Sequence, residues 1–206
     1  MTTRKLAVIS AGVRVPSSTR LLADRLTEAT VAALRSRGID VEVEVVELRE
    51  HAHEVLDAVL TGFPAPGLRP AVDAVTGADG VIAVTPIFSG SYNGLFKTFF
   101  DGLDDGVLTG KPTLIGATGG TGRHSLALEH AVRPLFAYLR SVVVPTAVYA
   151  APEDWAGGGE GVAPLDQRIA RAAGELADLV AARAAPAVAD PFADPVVPFS
   201  ELLGGR

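Results

Sequence analysis

The stretch that decides the fold is Leu6-Ala7-Val8-Ile9-Ser10-Ala11-Gly12-Val13-Arg14-Val15-Pro16-Ser17-Ser18-Thr19-Arg20. Its first four residues are all apolar, as a central parallel strand buried on both faces requires. From Thr19 onward the apolar residues Leu22, Leu26, Ala29 and Ala33 recur at helical spacing, and Gly38 closes the helix. Between strand and helix lies a loop with hydroxyls at Ser10, Ser17, Ser18 and Thr19, which ends on a helix N-terminus. Free N–H groups, a favourable dipole and short side chains together suit a dianion such as a phosphate. Ordinary N-capping by Ser17 or Ser18 accounts for one of these serines but not for all four hydroxyls. The loop matches neither GxGxxG nor GxxxxGK[ST], which disfavours a dinucleotide fold or a P-loop.

The alternation of strand and helix continues along the chain. Val41–Val46 alternates apolar with acidic residues and reads as a strand nearer an edge; 51–60 and 68–76 read as helices. Gly80–Thr85 and Pro112–Ala117 are buried strands, and Asn93–Asp101 is helical. Ser125–Leu139 is expected to be one amphipathic helix with Leu126 or Leu128, Val132, Leu135 and Leu139 inward. Val142–Tyr149 is a last strand that Pro145 places at an edge or a bulge, and Leu165–Leu179 traces a final helix. Five such repeats predict an α/β doubly wound sandwich, a five-stranded parallel sheet with helices on both faces. Residues 1–185 form that domain; 186–206 are a Pro-rich apolar tail containing Phe192, Val196, Val197, Phe199, Leu202 and Leu203.

Composition narrows the function. The 206-residue chain is 48% hydrophobic, enough for a sizeable core in one domain. Its net charge of -6, without any Lys/Arg block, argues against nucleic acid and against a polybasic membrane anchor. No cysteine is present, so thiol redox chemistry and thiolate metal sites are excluded, and any redox work falls to a bound cofactor. The apolar run after Met1–Lys5 is too short for a signal peptide, and no stretch approaches the ~20 apolar residues of a membrane span. A cytoplasmic address is expected.

Two further loops leave buried strands at the same sheet edge, where open parallel sheets bind ligands. Thr85-Pro86-Ile87-Phe88-Ser89-Gly90-Ser91-Tyr92-Asn93-Gly94 sets one aromatic on each side of a Gly-Ser turn, a place for a flat ring; a plain tight turn before a core helix is the alternative. Phe96, Phe99 and Phe100 are read as that core. Ala117-Thr118-Gly119-Gly120-Thr121-Gly122-Arg123-His124-Ser125 lets backbone approach a ligand closely, with Ser125 available as a helix cap. His124 is equally readable as a solvated or capping residue, and His51, His53 and His130 as surface residues. Trp155 either covers a neighbouring site or anchors its loop.

These three loops resemble the NAD(P)H-dependent FMN reductases of flavodoxin-like fold, in particular those that partner luciferase-like flavin monooxygenases. The resemblance covers roughly the first ~185 residues and extends to Phe199-Ser-Glu-Leu-Leu. It implies an FMN phosphate held by Ser10, Ser17, Ser18 and Thr19, with Gly12 in the same loop and Arg14 or Arg20 supplying charge. The isoalloxazine would lie against Pro86, Ile87, Phe88, Ser89, Gly90, Ser91 and Tyr92 and against Thr118, Gly119, Gly120 and Thr121. Arg123 and His124 would draw in the NAD(P)H phosphates. Relatives carry Gly-Ser-x-Arg where this chain has Gly12 in the serine's place, which leaves Ser10 as a backbone contact. Ile87-Phe88-Ser89 is more apolar than in relatives and implies a drier flavin edge. The flavin carries the hydride chemistry, so no catalytic side chain is expected. Two other readings share these loops: an FMN-bound reductase of quinones, azo dyes or metal oxyanions, and a flavodoxin-type electron carrier. The apolar tail, laid as an extended arm across a neighbouring subunit, implies a homodimer or homotetramer; an arm packed back on its own domain is the alternative.

Overall fold

The computed structural model describes residues 3–155 and 163–183. Strands β1 (Thr3–Ser10), β2 (Asp40–Glu47), β3 (Gly80–Phe88) and β5 (Pro112–Thr118) run parallel, and two short strands, β6 (Val142–Val143) and β7 (Val148–Ala150), both lie along β5. The order is β2-β1-β3-β5-β6, that of a flavodoxin-like sheet. Among the described residues the sheet counts seven strands rather than five. One addition is the two-residue strand β4 (Ser91–Tyr92), antiparallel to β3. The other comes from Pro145, which lacks the N–H a continuous strand needs. Around it side chains replace ladder bonds: Arg133 donates to the carbonyls of Val144 and Pro145 at 2.9 and 3.0 Å, and Glu175 accepts the Thr146 N–H at 2.7 Å.

The sheet divides two cores, as the period-two alternation within buried strands demands. Leu6 and Val8 face helices α1 (Ser18–Arg35) and α7 (Leu165–Ala182). Ala7 and Ile9 face α2 (Ala52–Thr61), α3 (Arg69–Gly77), α4 (Gly94–Asp101) and α5 (Arg133–Tyr138). On that side Phe96, Phe99, Phe100 and Phe136 are fully buried, and Phe100 meets Phe96 and Phe136 edge-on with ring centroids 4.9 Å apart. Such edge-to-face pairs contribute about 0.5–1.5 kcal/mol each beyond area burial.

The single helix expected over Ser125–Leu139 is instead a tight turn at Gly122–His124, a π-turn at Leu128–Val132 and then α5. Pro134, at the start of α5, cannot donate to the preceding turn, and the wider turn absorbs that break. Leu128, Val132 and Leu135 face inward as expected, whereas Leu126 is 63% exposed. Trp155, at the end of the short helix α6 (Pro152–Trp155), packs on the α1–α7 core beneath the Arg25 guanidinium. Among the described residues no helix is long and apolar enough to cross a membrane. The tail from 186 onward lies outside the described residues.

Candidate functional site

The carboxyl ends of β1, β3 and β5 are level: Ser10 pairs with Val84, and Pro86 with Thr118. The loops that follow them enclose a cleft of about 790 Å³. Its walls take Val13, Arg14, Ser17, Ser18 and Thr19 from the first loop, Pro86, Ile87 and Phe88 from β3, and Thr118, Gly119 and Gly120 from the third. Pro16, Leu21 and Pro152 also line it. Three segments far apart in sequence are therefore brought together as expected.

The first loop divides its hydroxyls among different tasks. Ser17 is the N-cap of α1 and accepts the Arg20 N–H at 3.1 Å, which leaves its own proton free to donate. Ser18 and Thr19 open the helix, where their N–H groups have no intrahelical acceptor, and no acidic residue occupies that first turn. The Thr19 hydroxyl is buried and shares a 2.8 Å hydrogen bond with that of Thr118, so it ties the first loop to the third. Ser10 is buried, its hydroxyl unpartnered among the described residues, and it does not line the cleft. A Cβ on buried Gly12 would stand 2.1 Å from the Ser17 hydroxyl oxygen. Glycine here is thus coupled to the cap: a larger residue must push Ser17 out of it.

Of the two candidate arginines only Arg14 suits an anion. It is exposed, lines the cleft and has no hydrogen bond or ion pair among the described residues. Arg20 is committed to Asp24 at 2.7 Å and Glu47 at 2.6 Å. Arg49 shares Glu47 at 2.6 Å; its hydrogen bond, reinforced by Arg20, holds the Glu47 carboxyl below its ordinary value.

In the second loop Ser89 and Gly90 form the two-residue turn between β3 and β4, with φ of 51° and 81°. Both central residues at positive φ mark the turn whose twist matches a hairpin, and glycine accepts it without strain. Phe88, 48% exposed, is the aromatic on the cleft. Tyr92 is not: its ring turns inward to Phe96, with centroids 6.0 Å apart. Ser89, Gly90 and Ser91 likewise lie off the cleft wall. Asn93, assigned no role from sequence, is buried and does three things. Its amide donates to the Ala11 carbonyl at 2.8 Å, its oxygen caps α4 by accepting the Phe96 N–H at 2.8 Å, and its N–H donates to Thr85 at 3.3 Å. The signal that could find it, an Asn before a helix, points to the cap alone.

The third loop rests on a residue the sequence did not single out. Tyr149 donates its hydroxyl to the Thr121 carbonyl at 2.8 Å, passing so close beneath Gly119 that a Cβ there would lie 2.0 Å from the oxygen. Desolvation, with Glu153 and Asp154 nearby, raises the Tyr149 pKa and keeps this proton in place. Gly120 opens on free space, and Glu153 accepts the Gly122 N–H at 3.2 Å. The cap of the following turn is Thr121, through the Arg123 N–H, rather than Ser125. Arg123 and His124 do not reach the large cleft. They line a shallower one of about 340 Å³, together with Gly90, Leu126, Ala127, His130 and Ala131.

Among the described residues, Arg14 is the one charged side chain on the large cleft, and no His, Cys, Asp or Glu stands there to serve as base or nucleophile. Among the described residues no cluster of His, Cys, Asp or Glu could hold a metal. The cleft offers an apolar shelf of Pro86, Ile87, Phe88 and Pro152 beside a cradle of hydroxyls, unbonded N–H groups and one guanidinium. That donor set fits a planar ring with a dianionic tail, a group that brings its own chemistry.

Comparison with known proteins agrees. The family model of NADPH-dependent FMN reductase matches residues 4–156. The FMN reductase (NADPH) of Pseudomonas aeruginosa is 36% identical over 180 residues, 87% of this chain and 94% of the relative. The NADH-dependent FMN reductase SfnF of Pseudomonas fluorescens is 37% identical over 176 residues, 85% of this chain and 91% of the relative. An oxidoreductase from Corynebacterium diphtheriae superposes with a TM-score of 0.84 at 48% identity, covering 89% of this chain and 100% of that one.

Proposed function

The chain belongs to the NADPH-dependent FMN reductase family, and from that premise we propose that the large cleft is its flavin site and that the reduced flavin passes to a partner monooxygenase. The protein is an NAD(P)H-dependent FMN reductase, an oxidoreductase acting on flavin and nicotinamide nucleotide. One observation carries the assignment of the site: a single cleft joins the unbonded N–H groups of α1 and Arg14 to the shelf of Pro86, Ile87 and Phe88.

In this reading Ser17, the N–H groups of Ser18 and Thr19, and Arg14 bind the phosphate through charge-assisted hydrogen bonds. Phe88 and its neighbours exclude water from one side of the ring, and the backbone of Gly119 and Gly120 approaches its polar edge. Thr118, Asn93 and Tyr149 position the three loops. Bound there, FMN supplies the chemistry, accepting hydride from the reduced nicotinamide. A homo-oligomer also belongs to this reading. It is supported by the exposed row Leu56, Val59, Leu60 and Phe63 on and just after α2.

The deciding experiment is nicotinamide oxidation with free FMN set against quinone acceptors, alongside a fluorescence titration with FMN. FMN is expected to bind with a Kd at or below the micromolar range and to be the preferred acceptor. A protein that does not bind flavin, or that reduces quinones in preference to FMN, overturns the reading.

A further inference from the structure

Thr19, Leu22 and Leu26 lie along one stripe of α1, and all three are buried. The stripe faces β5, on which Leu114, Gly116 and Thr118 alternate toward the same side. Gly116 is what lets the helix come close. A Cβ there would meet Leu26 Cδ1 at 3.2 Å and Leu22 Cδ2 at 3.5 Å. Thr118 is the next residue on that face of the strand, and Thr19 stands one turn before Leu22 on the helix. Helix and strand therefore carry two threonines to one point, where their hydroxyl oxygens are 2.8 Å apart. Both residues are buried, and both border the large cleft.

A hydroxyl brings one hydrogen and two lone pairs. The pair thus holds two hydrogens but makes one hydrogen bond, and neither hydroxyl has another partner among the described residues. One hydrogen is left over at a buried position, where polar groups are normally satisfied. Which hydrogen it is depends on the direction of the bond. With Thr19 as donor, Thr118 keeps its hydrogen for the cleft. With Thr118 as donor, Thr19 keeps its hydrogen in the first turn of α1, where the N–H groups of Ser18 and Thr19 are also unbonded. An anion at that helix start only accepts, so it takes the Thr19 hydrogen and imposes the second direction. Thr118 then has only lone pairs to offer the cleft.

We propose that the Thr19–Thr118 pair is a positioning relay: phosphate at the start of α1 fixes its direction, and that direction makes Thr118 an acceptor for a flavin donor, a ring N–H or a ribityl hydroxyl. This rests on the flavin-site reading, since phosphate and ring must share the large cleft. The relay makes the two ends of the ligand cooperative. Without phosphate the pair divides between two directions, of which one suits a donor from the flavin. With phosphate the hydroxyls are aligned before the ring arrives, and hydrogen bonds in a chain polarise one another. Preference for FMN over riboflavin then draws on both ends of the cleft rather than on charge alone.

Cutting the ligand in two tests this, because riboflavin carries the ring and ribityl chain and inorganic phosphate carries the anion. Flavin-free, full-length protein is titrated with riboflavin by fluorescence quenching, with saturating phosphate or with sodium chloride at the same ionic strength. Phosphate should tighten riboflavin binding about fivefold or more, the lower end of ordinary coupling between two sites. No gain, or an equal gain with sodium chloride, overturns the proposal. In Thr118→Val, which keeps the branched shape and loses the hydroxyl, the gain should vanish, and in Thr118→Ser it should persist. A gain that survives in Thr118→Val, or is lost in Thr118→Ser, means that the hydroxyl does not carry the coupling and overturns the proposal as well. Should Thr118→Val fail to fold, the unmodified protein and Thr118→Ser decide. Failure of the flavin-site reading looks different, because then neither FMN nor riboflavin binds.

Discussion

At the scale of single residues, the proposed phosphate site rests on Ser17 and Arg14. Ser17 Oγ accepts the Arg20 N–H, and the same hydroxyl keeps a proton to donate to an anion. Ser17→Ala removes both functions: about 1 kcal/mol of cap and a hydrogen bond to charge of about 1.5–3 kcal/mol. FMN affinity should therefore fall about tenfold or more, while riboflavin, which has no phosphate, should bind nearly as before. Arg14→Ala should act in the same direction, whereas Arg20→Ala should hardly discriminate between the two flavins because Asp24 and Glu47 already hold that guanidinium. Fluorescence titrations with both flavins read this out. Parallel losses for FMN and riboflavin would show that the loop does not read phosphate.

The glycine-rich loop behaves as an element with a support beneath it. Tyr149 reaches from β7 to the Thr121 carbonyl, and the absence of a side chain on Gly119 makes room for it. Gly119→Ala drives a methyl into the Tyr149 hydroxyl, and overpacking of this kind costs about 1–3 kcal/mol. Either the loop or the tyrosine must move, so FMN binding should weaken along with stability. Tyr149→Phe removes the contact at 2.0 Å but leaves ring carbon Cζ at 3.0 Å, so the double variant should recover part of the loss. A double-mutant cycle on melting temperature and FMN affinity checks this coupling, and strict additivity would show that the two groups do not meet.

Over the whole molecule the feature with the clearest solution signature is Lys111, buried at the opposite end of the sheet from the clefts. Its ammonium donates to the carbonyls of Val75 and Thr76 at the end of α3, and burial, with Arg183 nearby, lowers its pKa to about 8. The unfolded chain holds this proton up to its ordinary value of about 10.4. Between those values the unfolded state binds more protons, so the charge costs stability below about pH 8 and the cost fades as pH rises. Between pH 7.5 and 9.5 the native protein should gain roughly 2 kcal/mol relative to Lys111→Met. Urea unfolding of both proteins at the two pH values measures it; parallel changes would mean that Lys111 titrates normally.

Much of this was legible in the chain. The apolar runs at Leu6, Gly80 and Pro112 determined the buried strands, because a strand covered on both faces must be apolar throughout. The hydroxyl and glycine content of the loops after them determined where a phosphate and a ring could lie, because those residue types release backbone donors and allow close approach. Tertiary structure alone decided the rest. Arg14 and Arg20 have the same chemistry and belong to the same loop and helix start, and the ion pairs of Arg20 with Asp24 and with Glu47 from β2 remove it from the cleft. Tyr92 was a ring-side candidate until Phe96 drew it into the core. Arg123, His124 and His130 line a cleft of their own, on a tight turn and a π-turn where the local pattern points to one regular helix. Local periodicity reports which face of an element is buried. It does not report which distant side chain arrives there, because that depends on strand order and register, and these are set by packing across the whole sheet.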